Sequence, residues 1–126
     1  MDILIWSGSS FTGQFAVQLA HLSGLRVIST SSPRNFDLIR SLGAAEVYDY
    51  ADSRAARKIH AATGSKLKLA LDCISSGTTP AQVSGCLSKE GGTIATTLPY
   101  TTPKKGVNTE LVLLYSIWGK VCWELD

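Results

Sequence analysis

A chain of 126 residues is long enough for one domain with a single hydrophobic core. Hydrophobic residues make up 44% of it and charged residues 17%, a balance typical of a soluble globular domain and not of a disordered chain. The formal net charge of +2 is too small to indicate a nucleic acid or a membrane surface as partner. We therefore expect one domain, spanning residues 1–126, that binds neither.

The three cysteines and two histidines are widely spaced along the chain. An odd number of cysteines at this spacing predicts no disulfide framework, and no Cys/His grouping predicts a metal site. Reduced thiols are typical of the cytoplasm, which is the location that we expect. No run reaches the ~18 apolar residues of a membrane span, and the N-terminus lacks the basic segment of a signal peptide. His21 and His60 lie in predicted helices, where we expect surface positions.

Short apolar runs alternate with amphipathic stretches along the chain. The apolar runs predict five strands, at residues 3–6, 26–28, 46–50, 67–74 and 92–98. Helical spacing of apolar residues predicts helices at 13–22, 33–43, 53–62 and 79–87. A loop is expected at 102–108 and a sixth strand at 111–118, with a helix as the alternative for that last run because it is continuously apolar. Cys73 and Ile74 fall in the fourth predicted strand, and we expect them to be sheet core.

Strands that alternate with helices in this way predict a parallel sheet covered on both faces, with right-handed crossovers. We expect an α/β fold, specifically a Rossmann-type doubly wound sheet of six strands in the order 3-2-1-4-5-6. In that order the strand at residues 3–6 is central.

The segment 6–13 lies between the first predicted strand and the first predicted helix. A dinucleotide-binding fingerprint reads Gly-x-Gly-x-x-Gly at this place, so that a pyrophosphate can approach the backbone at the helix N-terminus. Gly8 and Gly13 occupy the first and third glycine positions, and Ser10 occupies the second. A serine is small, and we expect its hydroxyl to donate to a phosphate oxygen. A plain tight turn without a ligand is the alternative, whereas a P-loop is excluded because Gly13 is followed by Gln14.

The end of the second predicted strand carries no acidic residue. NAD-binding folds usually place Asp or Glu there to bind the ribose hydroxyls, but the first acid here is Asp37, inside the next helix. Arg34 is a forked cation suited to a phosphate, and we predict that Ser32, Arg34 and Asn35 hold the 2′-phosphate of NADP. The alternative is that Ser32 only caps the helix and Arg34 is solvated. Tyr50 is placed to reach the adenosine, although packing alone also explains an aromatic residue there.

Five segments of the sequence carry a family resemblance: residues 3–13, 32–38, 41–44, 47–50 and 70–74. They resemble the zinc-independent enoyl reductases of the medium-chain dehydrogenase/reductase superfamily, and most of all the fungal trans-acting enoyl reductases that work beside polyketide synthases. The most specific runs are Ser-Pro-Arg-Asn-Phe-Asp-Leu at 32–38 and Leu-Asp-Cys-Ile at 71–74. The resemblance covers nearly the whole chain and implies an NADP-binding Rossmann domain.

The resemblance also implies where the cofactor lies. The loop after the first strand then holds the pyrophosphate, the stretch after the second strand meets the 2′-phosphate, and the end of the fifth strand faces the nicotinamide. The cofactor-binding residues predicted in this way are Gly8, Ser9, Ser10, Phe11, Thr12, Gly13, Ser32, Pro33, Arg34, Asn35, Tyr50, Thr97 and Leu98. No side chain is predicted to be a catalytic acid, base or nucleophile, and none to be a metal ligand.

The activity that the resemblance implies is hydride transfer from NADPH to an enoyl thioester, in which the cofactor supplies the reducing chemistry. The family's N-terminal GroES-like domain is absent from the sequence, so we expect most substrate contacts to be missing. One alternative is a dinucleotide-binding module without turnover, and another is a quinone oxidoreductase-like enzyme. A third is a domain that docks on a partner such as a polyketide synthase or a second copy, with residues 111–118 as the predicted contact.

Overall fold

The computed structural model of the chain describes residues 1–98, 102 and 104–111. At its centre lies a six-stranded sheet in the order β3-β2-β1-β4-β5-β6, with every neighbouring pair parallel. The strands are β1 Asp2–Trp6, β2 Arg26–Ser31, β3 Ala44–Asp49, β4 Leu69–Asp72, β5 Gly92–Thr96 and β6 Val107–Leu111. The predicted Rossmann-type α/β class and the predicted strand order are confirmed.

Helices connect the first five strands. They are α1 Phe11–Leu22, α2 Phe36–Ser41, α3 Ala55–Ala62 and α4 Thr79–Cys86, and a short 3-10 turn, Pro33–Asn35, precedes α2. Side chains alternate along each strand, so β1 contributes to two separate cores. Ile5 packs with the buried residues of α1 and α2 on one face, which we call the α1 face. Leu4 and Trp6 pack with the buried residues of α3 and α4 on the other face.

The residues that the structure describes cover the α1 face only in part. The helices after β1 and β2 lie over the β1–β3 half of this face, whereas the helices after β3 and β4 pack on the opposite face. A groove of about 370 Å³ therefore runs beside α1 over β1, β4 and β5, and we call it the open groove. Its lining is mostly apolar and consists of Ile3, Ile5, Ala16, Leu19, Ala20, Ser23, Leu25, Leu69, Ala70, Leu71, Thr93 and Ala95.

The sixth strand lies earlier in the chain than predicted. β6 pairs with β5 from Gly92↔Val107 to Thr96↔Leu111, so the prediction of a loop through residue 108 is wrong. The sequence of β6, Val-Asn-Thr-Glu-Leu, has only two apolar residues. A strand at the end of the described sheet is not buried on both faces, so it needs no continuous apolar run and gives no such signal in the sequence. Of the strand predicted at 111–118, only residue 111 belongs to β6, and 112–118 lie outside the described residues.

Candidate cofactor-binding site

A cleft of about 630 Å³ opens at the carboxyl edge of the sheet, where the chain leaves β1 for α1 and β4 for α4. The strand order reverses here, because β2 lies on one side of β1 and β4 on the other. Open parallel sheets bind their ligands at such a switch point. The residues that line the cleft are Trp6, Ser7, Ser9, Ser31, Ser32, Arg34, Asn35, Tyr50, Ala51, Ile74, Ser76, Gly77, Thr78, Thr79 and Gln82.

The loop between β1 and α1 is anchored to the end of β2. The amide of Ser7 donates to Thr30 Oγ1 at 2.9 Å, and the amide of Gly8 donates to the Thr30 carbonyl oxygen at 3.0 Å. Ser7 itself has a φ of 67°, a left-handed conformation that few residues other than glycine adopt. These two bonds hold the turn at a fixed height above the sheet.

Both glycines of the loop are required by close packing within the protein. A Cβ on Gly8 would lie 2.1 Å from Ser29 Oγ, which is itself fixed by a bond of 2.7 Å to the Ile5 carbonyl oxygen. A Cβ on Gly13 would lie 2.3 Å from the Ser7 carbonyl oxygen. Gly13 therefore lets helix and strand pack closely, which is the role of the third glycine in the fingerprint. Because protein contacts explain both glycines, they are not by themselves evidence for a ligand.

Ser10 caps α1. Its Oγ accepts a bond of 3.0 Å from the amide of Gly13 and donates one of 2.8 Å to the Ser7 carbonyl oxygen. A hydroxyl has one proton, and here the Ser7 carbonyl receives it. The expected donation from Ser10 to a phosphate oxygen therefore does not fit this arrangement.

Free backbone donors are nevertheless present at the start of α1. None of the described residues accepts a hydrogen bond from the amides of Phe11 and Thr12. The first turn contains no acidic residue, and the 12-residue helix directs the positive end of its dipole to this point. Amides at a helix N-terminus that have no protein acceptor are suited to an anion such as a pyrophosphate.

The end of β2 presents a cation and two polar side chains to the cleft. Arg34 is exposed, and no acidic group in the described part of the chain pairs with it. Ser32 makes no side-chain capping bond to the 3-10 turn, which disfavours the alternative that it serves only as a cap. Among the described residues that line the cleft, none is acidic. Ser32, Arg34 and Asn35 are therefore available to a dianionic phosphate.

Five of the predicted cofactor-binding residues meet in the lining of the cleft: Ser9, Ser32, Arg34, Asn35 and Tyr50. Six others are not part of the lining but lie in the adjoining loop, helix or turn: Gly8, Ser10, Phe11, Thr12, Gly13 and Pro33. Thr97 and Leu98 follow β5 and are also outside the lining. The Tyr50 side chain is 48% exposed, so packing alone does not explain it.

Sequence reasoning missed the second wall of the cleft, which we call the β4–α4 wall. It consists of Ile74, Ser76, Gly77, Thr78, Thr79 and Gln82. The expectation that Ile74 is sheet core is wrong: β4 ends at Asp72, so Ile74 lies in the loop and is 41% exposed. The available signal was the position of this segment directly after a parallel strand, at the same edge as the loop after β1.

The titratable side chains near the cleft give no nucleophile or metal site. Burial raises the pKa of the Cys73 thiol to about 12, so the thiol stays protonated at neutral pH. His21 is exposed as predicted, whereas His60 is half-buried, with Nδ1 3.0 Å from the Leu87 carbonyl oxygen, and neither lines the cleft. The described residues contain no group of three or more His, Cys, Asp or Glu side chains that could hold a metal ion. They also contain no helix of the length and apolarity that crossing a membrane requires.

A doubly wound parallel sheet with a helix N-terminus at its switch point is the fold of the nucleotide-binding domains of dehydrogenases. The model of one family, described as zinc-binding dehydrogenase, matches residues 12–119, and the chain belongs to that family.

Curated relatives narrow this family. The chain is 41% identical over 119 residues to "Trans-enoyl reductase ACTTS2" of Alternaria alternata, a match that covers 94% of this chain and 35% of that protein. It is 40% identical over 120 residues to "Trans-enoyl reductase TOXD" of Cochliobolus carbonum, covering 95% and 40%. The resemblance to fungal trans-enoyl reductases of the medium-chain superfamily is confirmed, and the chain spans about 35–40% of the length of these two relatives.

Solved structures show the same fold at lower identity. The CurK enoyl reductase aligns with a TM-score of 0.77 and 21% identity, covering 98% of this chain and 42% of that one. Mycobacterial Rv1454c complexed with NADPH aligns with a TM-score of 0.74 and 23% identity, covering 90% and 38%. These two neighbours establish the fold of the chain.

Proposed function

We propose that this chain binds NADPH in the cleft, as the cofactor-binding part of an enoyl reductase-like oxidoreductase. The observation that carries the proposal is the composition of the cleft at the end of β2, where Arg34 has no acidic partner among the described residues and no acid lines the described cleft. An acid there would repel a 2′-phosphate, whereas a guanidinium attracts it.

The three parts of the cofactor find different partners under this proposal. The pyrophosphate accepts from the free amides of Phe11 and Thr12 at the start of α1. The 2′-phosphate accepts from Arg34 and Ser32, and the adenine lies against the exposed ring of Tyr50. When bound, NADPH supplies the hydride, and the residues of this chain bind and orient it.

The hydride acceptor under this proposal is an enoyl thioester. The support is the name trans-enoyl reductase, which the relatives at about 40% identity carry. A polyketide synthase that carries the thioester is the corresponding protein partner. Catalysis then depends on distance and orientation between donor and acceptor carbons, since the proposal assigns no acid or base to the described residues.

Competitive titration of the purified chain with NADPH and NADH tests the cofactor. We expect tighter binding of NADPH, and Arg34→Ala should narrow the difference by about 1–3 kcal/mol because it removes a charge-assisted bond. Arg57→Ala is the matched control, since Arg57 is an exposed arginine on α3 outside the cleft. Equal affinity of the unmodified chain for NADPH and NADH would contradict the assignment of NADP.

A turnover assay separates cofactor binding from reduction. We expect the 126-residue chain to bind NADPH but to reduce a crotonyl thioester slowly, because it spans only 35% or 40% of the two relatives compared above. An acceptor held about 1 Å out of place can cost about 100-fold in rate. Loss of NADPH absorbance measures the reaction, with a quinone as the alternative acceptor. A rate near the ordinary enzyme median of about 10 per second would show that this chain alone holds its substrate.

A further inference from the structure

A buried hydrogen-bonded clasp joins the carboxyl ends of β4 and β5. The hydroxyl of Ser75 donates to the Asp72 carbonyl oxygen at 2.7 Å and accepts from the amide of Thr97 at 2.8 Å. Thr97 Oγ1 lies 3.2 Å from the same hydroxyl oxygen. Since Asp72 ends β4 and Thr97 directly follows β5, one hydroxyl fixes the two strand ends to each other.

The carboxylate of Asp72 shapes the loop that carries this hydroxyl. Its Oδ1 accepts from the amides of Ile74 at 3.0 Å and Ser75 at 2.8 Å, and its Oδ2 has no partner among the described residues. Asp72 is fully buried, and Ser75 is 4% exposed with a φ of 54°. A left-handed serine is uncommon, and the two bonds to Oδ1 hold the loop in this conformation.

The clasp lies at the carboxyl ends of β4 and β5, whereas the proposed 2′-phosphate site lies at the carboxyl end of β2. A dinucleotide spans the switch point, so if its adenosine half lies over β2 and β3, its other half lies over β4 and β5. Ile74, whose amide is held by Asp72, lines the cleft there. Thr97, whose amide is held by Ser75, begins the segment that follows β5 at the same edge.

We propose that Asp72 and Ser75 are positioning residues for the nicotinamide half of the cofactor, acting through Ile74 and Thr97. This inference rests on the proposed binding of NADPH. The clasp sets the height of the β4 loop relative to the end of β5, and therefore the shape of the surface against which the nicotinamide ribose and ring lie. It does not touch the binding site of the adenosine half.

The chain contains a matched control at the opposite edge of the sheet. Ser88 is fully buried, its hydroxyl donates to the Gly91 carbonyl oxygen at 2.8 Å, and its amide donates to the Leu67 carbonyl oxygen at 2.8 Å. Its amide therefore joins the segments that precede β4 and β5, and its hydroxyl closes the turn just before β5. Ser88→Ala removes one buried hydroxyl bond, as Ser75→Ala does, but at the edge away from the cleft. A purely structural role is common to both serines, whereas only Ser75 lies at the edge with the cleft.

The test compares two ligands in three variants of the full 126-residue chain. NADPH contains the nicotinamide half, and 2′,5′-ADP contains only the adenosine half with its two phosphates. For Ser75→Ala we expect about fivefold to tenfold weaker NADPH binding, the effect of one lost hydrogen bond, and binding of 2′,5′-ADP within about twofold of the unmodified chain. Ser75→Gly should show the same selectivity without backbone strain, because glycine adopts a positive φ freely.

Ser88→Ala should lower the melting temperature and weaken both ligands by less than about twofold. Equal loss of NADPH and 2′,5′-ADP in both Ser75 variants, or no loss of either ligand, would overturn the positioning role. If the unmodified chain binds neither ligand, the proposed function itself fails, and this result is visible before any variant is measured. Amide exchange at Thr97, which should accelerate in Ser75→Gly, reports the clasp without a ligand.

Discussion

The two walls of the cleft differ in how their polar groups are used. On the wall after β2, the side chains of Arg34 and Ser32 have no hydrogen-bond partner among the described residues. On the β4–α4 wall the polar groups bond to each other. Thr79 Oγ1 accepts from the Ser76 amide at 3.1 Å and donates to the Ser76 carbonyl oxygen at 2.9 Å. One wall is therefore free to recognise charge, whereas the other is shaped by its own bonds before a ligand arrives.

The largest effect is expected from Gly13→Ala, which should displace the loop that lies between the two walls. In Gly13→Ala the new Cβ would lie 2.3 Å from the Ser7 carbonyl oxygen and 2.8 Å from Gly8 Cα, and neither backbone atom can move far. We expect a loss of about 3 kcal/mol in the free energy of unfolding, measured by urea denaturation, because overpacking forces the backbone to shift. NADPH and 2′,5′-ADP should both bind more weakly.

Gly85→Ala is the control for that substitution. Gly85 also lies in a helix, but among the described residues its new Cβ would meet Ala56 Cβ alone, at an ordinary 3.5 Å. Alanine is the better helix former, so we expect this variant to gain about 0.5 kcal/mol. Equal stabilities of the alanine variants at 13 and 85 would refute the tight packing of α1 against the β1 loop.

The next largest effect is expected from a substitution that changes the charge of the wall after β2 only. Ser32→Asp places an acid at the end of β2, where NAD-binding folds carry one. We expect the preference for NADPH over NADH to fall by about 10-fold to 100-fold, because the new carboxylate repels the 2′-phosphate and accepts from the ribose hydroxyls. Competition binding measures the ratio.

Ser41→Asp adds the same charge at the end of α2, where the serine is exposed and outside the cleft. The NADPH to NADH ratio should therefore stay within about twofold of the original, as expected for an exposed charge screened by salt. Equal shifts of the NADPH to NADH affinity ratio in Ser32→Asp and Ser41→Asp would show that the wall after β2 does not recognise the 2′-phosphate.

The smallest effect is expected on the opposite wall. Gln82 lines the cleft, but its Oε1 already accepts a bond of 3.0 Å from Thr78 Oγ1. Gln82→Ala should weaken NADPH and NADH equally and by less than about twofold, since an exposed neutral bond contributes little. A change in the ratio of the two affinities would show that the β4–α4 wall also takes part in cofactor choice.

The sheet could be predicted because its central strands are buried on both sides and read as apolar runs. Ile3, Leu4, Ile5 and Trp6 show this pattern, and the glycine-containing loop after them marks the switch point. β6 was missed because an edge strand with Asn108 and Glu110 lacks such a run. Local spacing does indicate secondary structure, but it does not show which strands lie at an edge.

The lining of the cleft could be predicted where a charged residue gives the signal, and could not where the signal is the conformation of a loop. Arg34 is identifiable from the sequence because a cation replaces an expected acid. The role of Ser10 depended on which acceptor its hydroxyl finds, and the Ser7 carbonyl became available only once the turn had formed. The loop after β4 contains mostly small residues such as Ser76 and Gly77, and composition does not distinguish a wall of a cleft from an ordinary connection.

The open groove beside α1 has a practical consequence for anyone who handles the isolated chain. Its apolar lining joins exposed side chains of α1, including Leu19, which is 53% exposed. Anilinonaphthalene dyes bind such surfaces and are commonly used to diagnose molten globules. We expect this chain to brighten the dye while the amides of β1, at the centre of the sheet, remain protected from hydrogen exchange. Dye fluorescence then reports a folded protein in which the described residues leave part of one sheet face open.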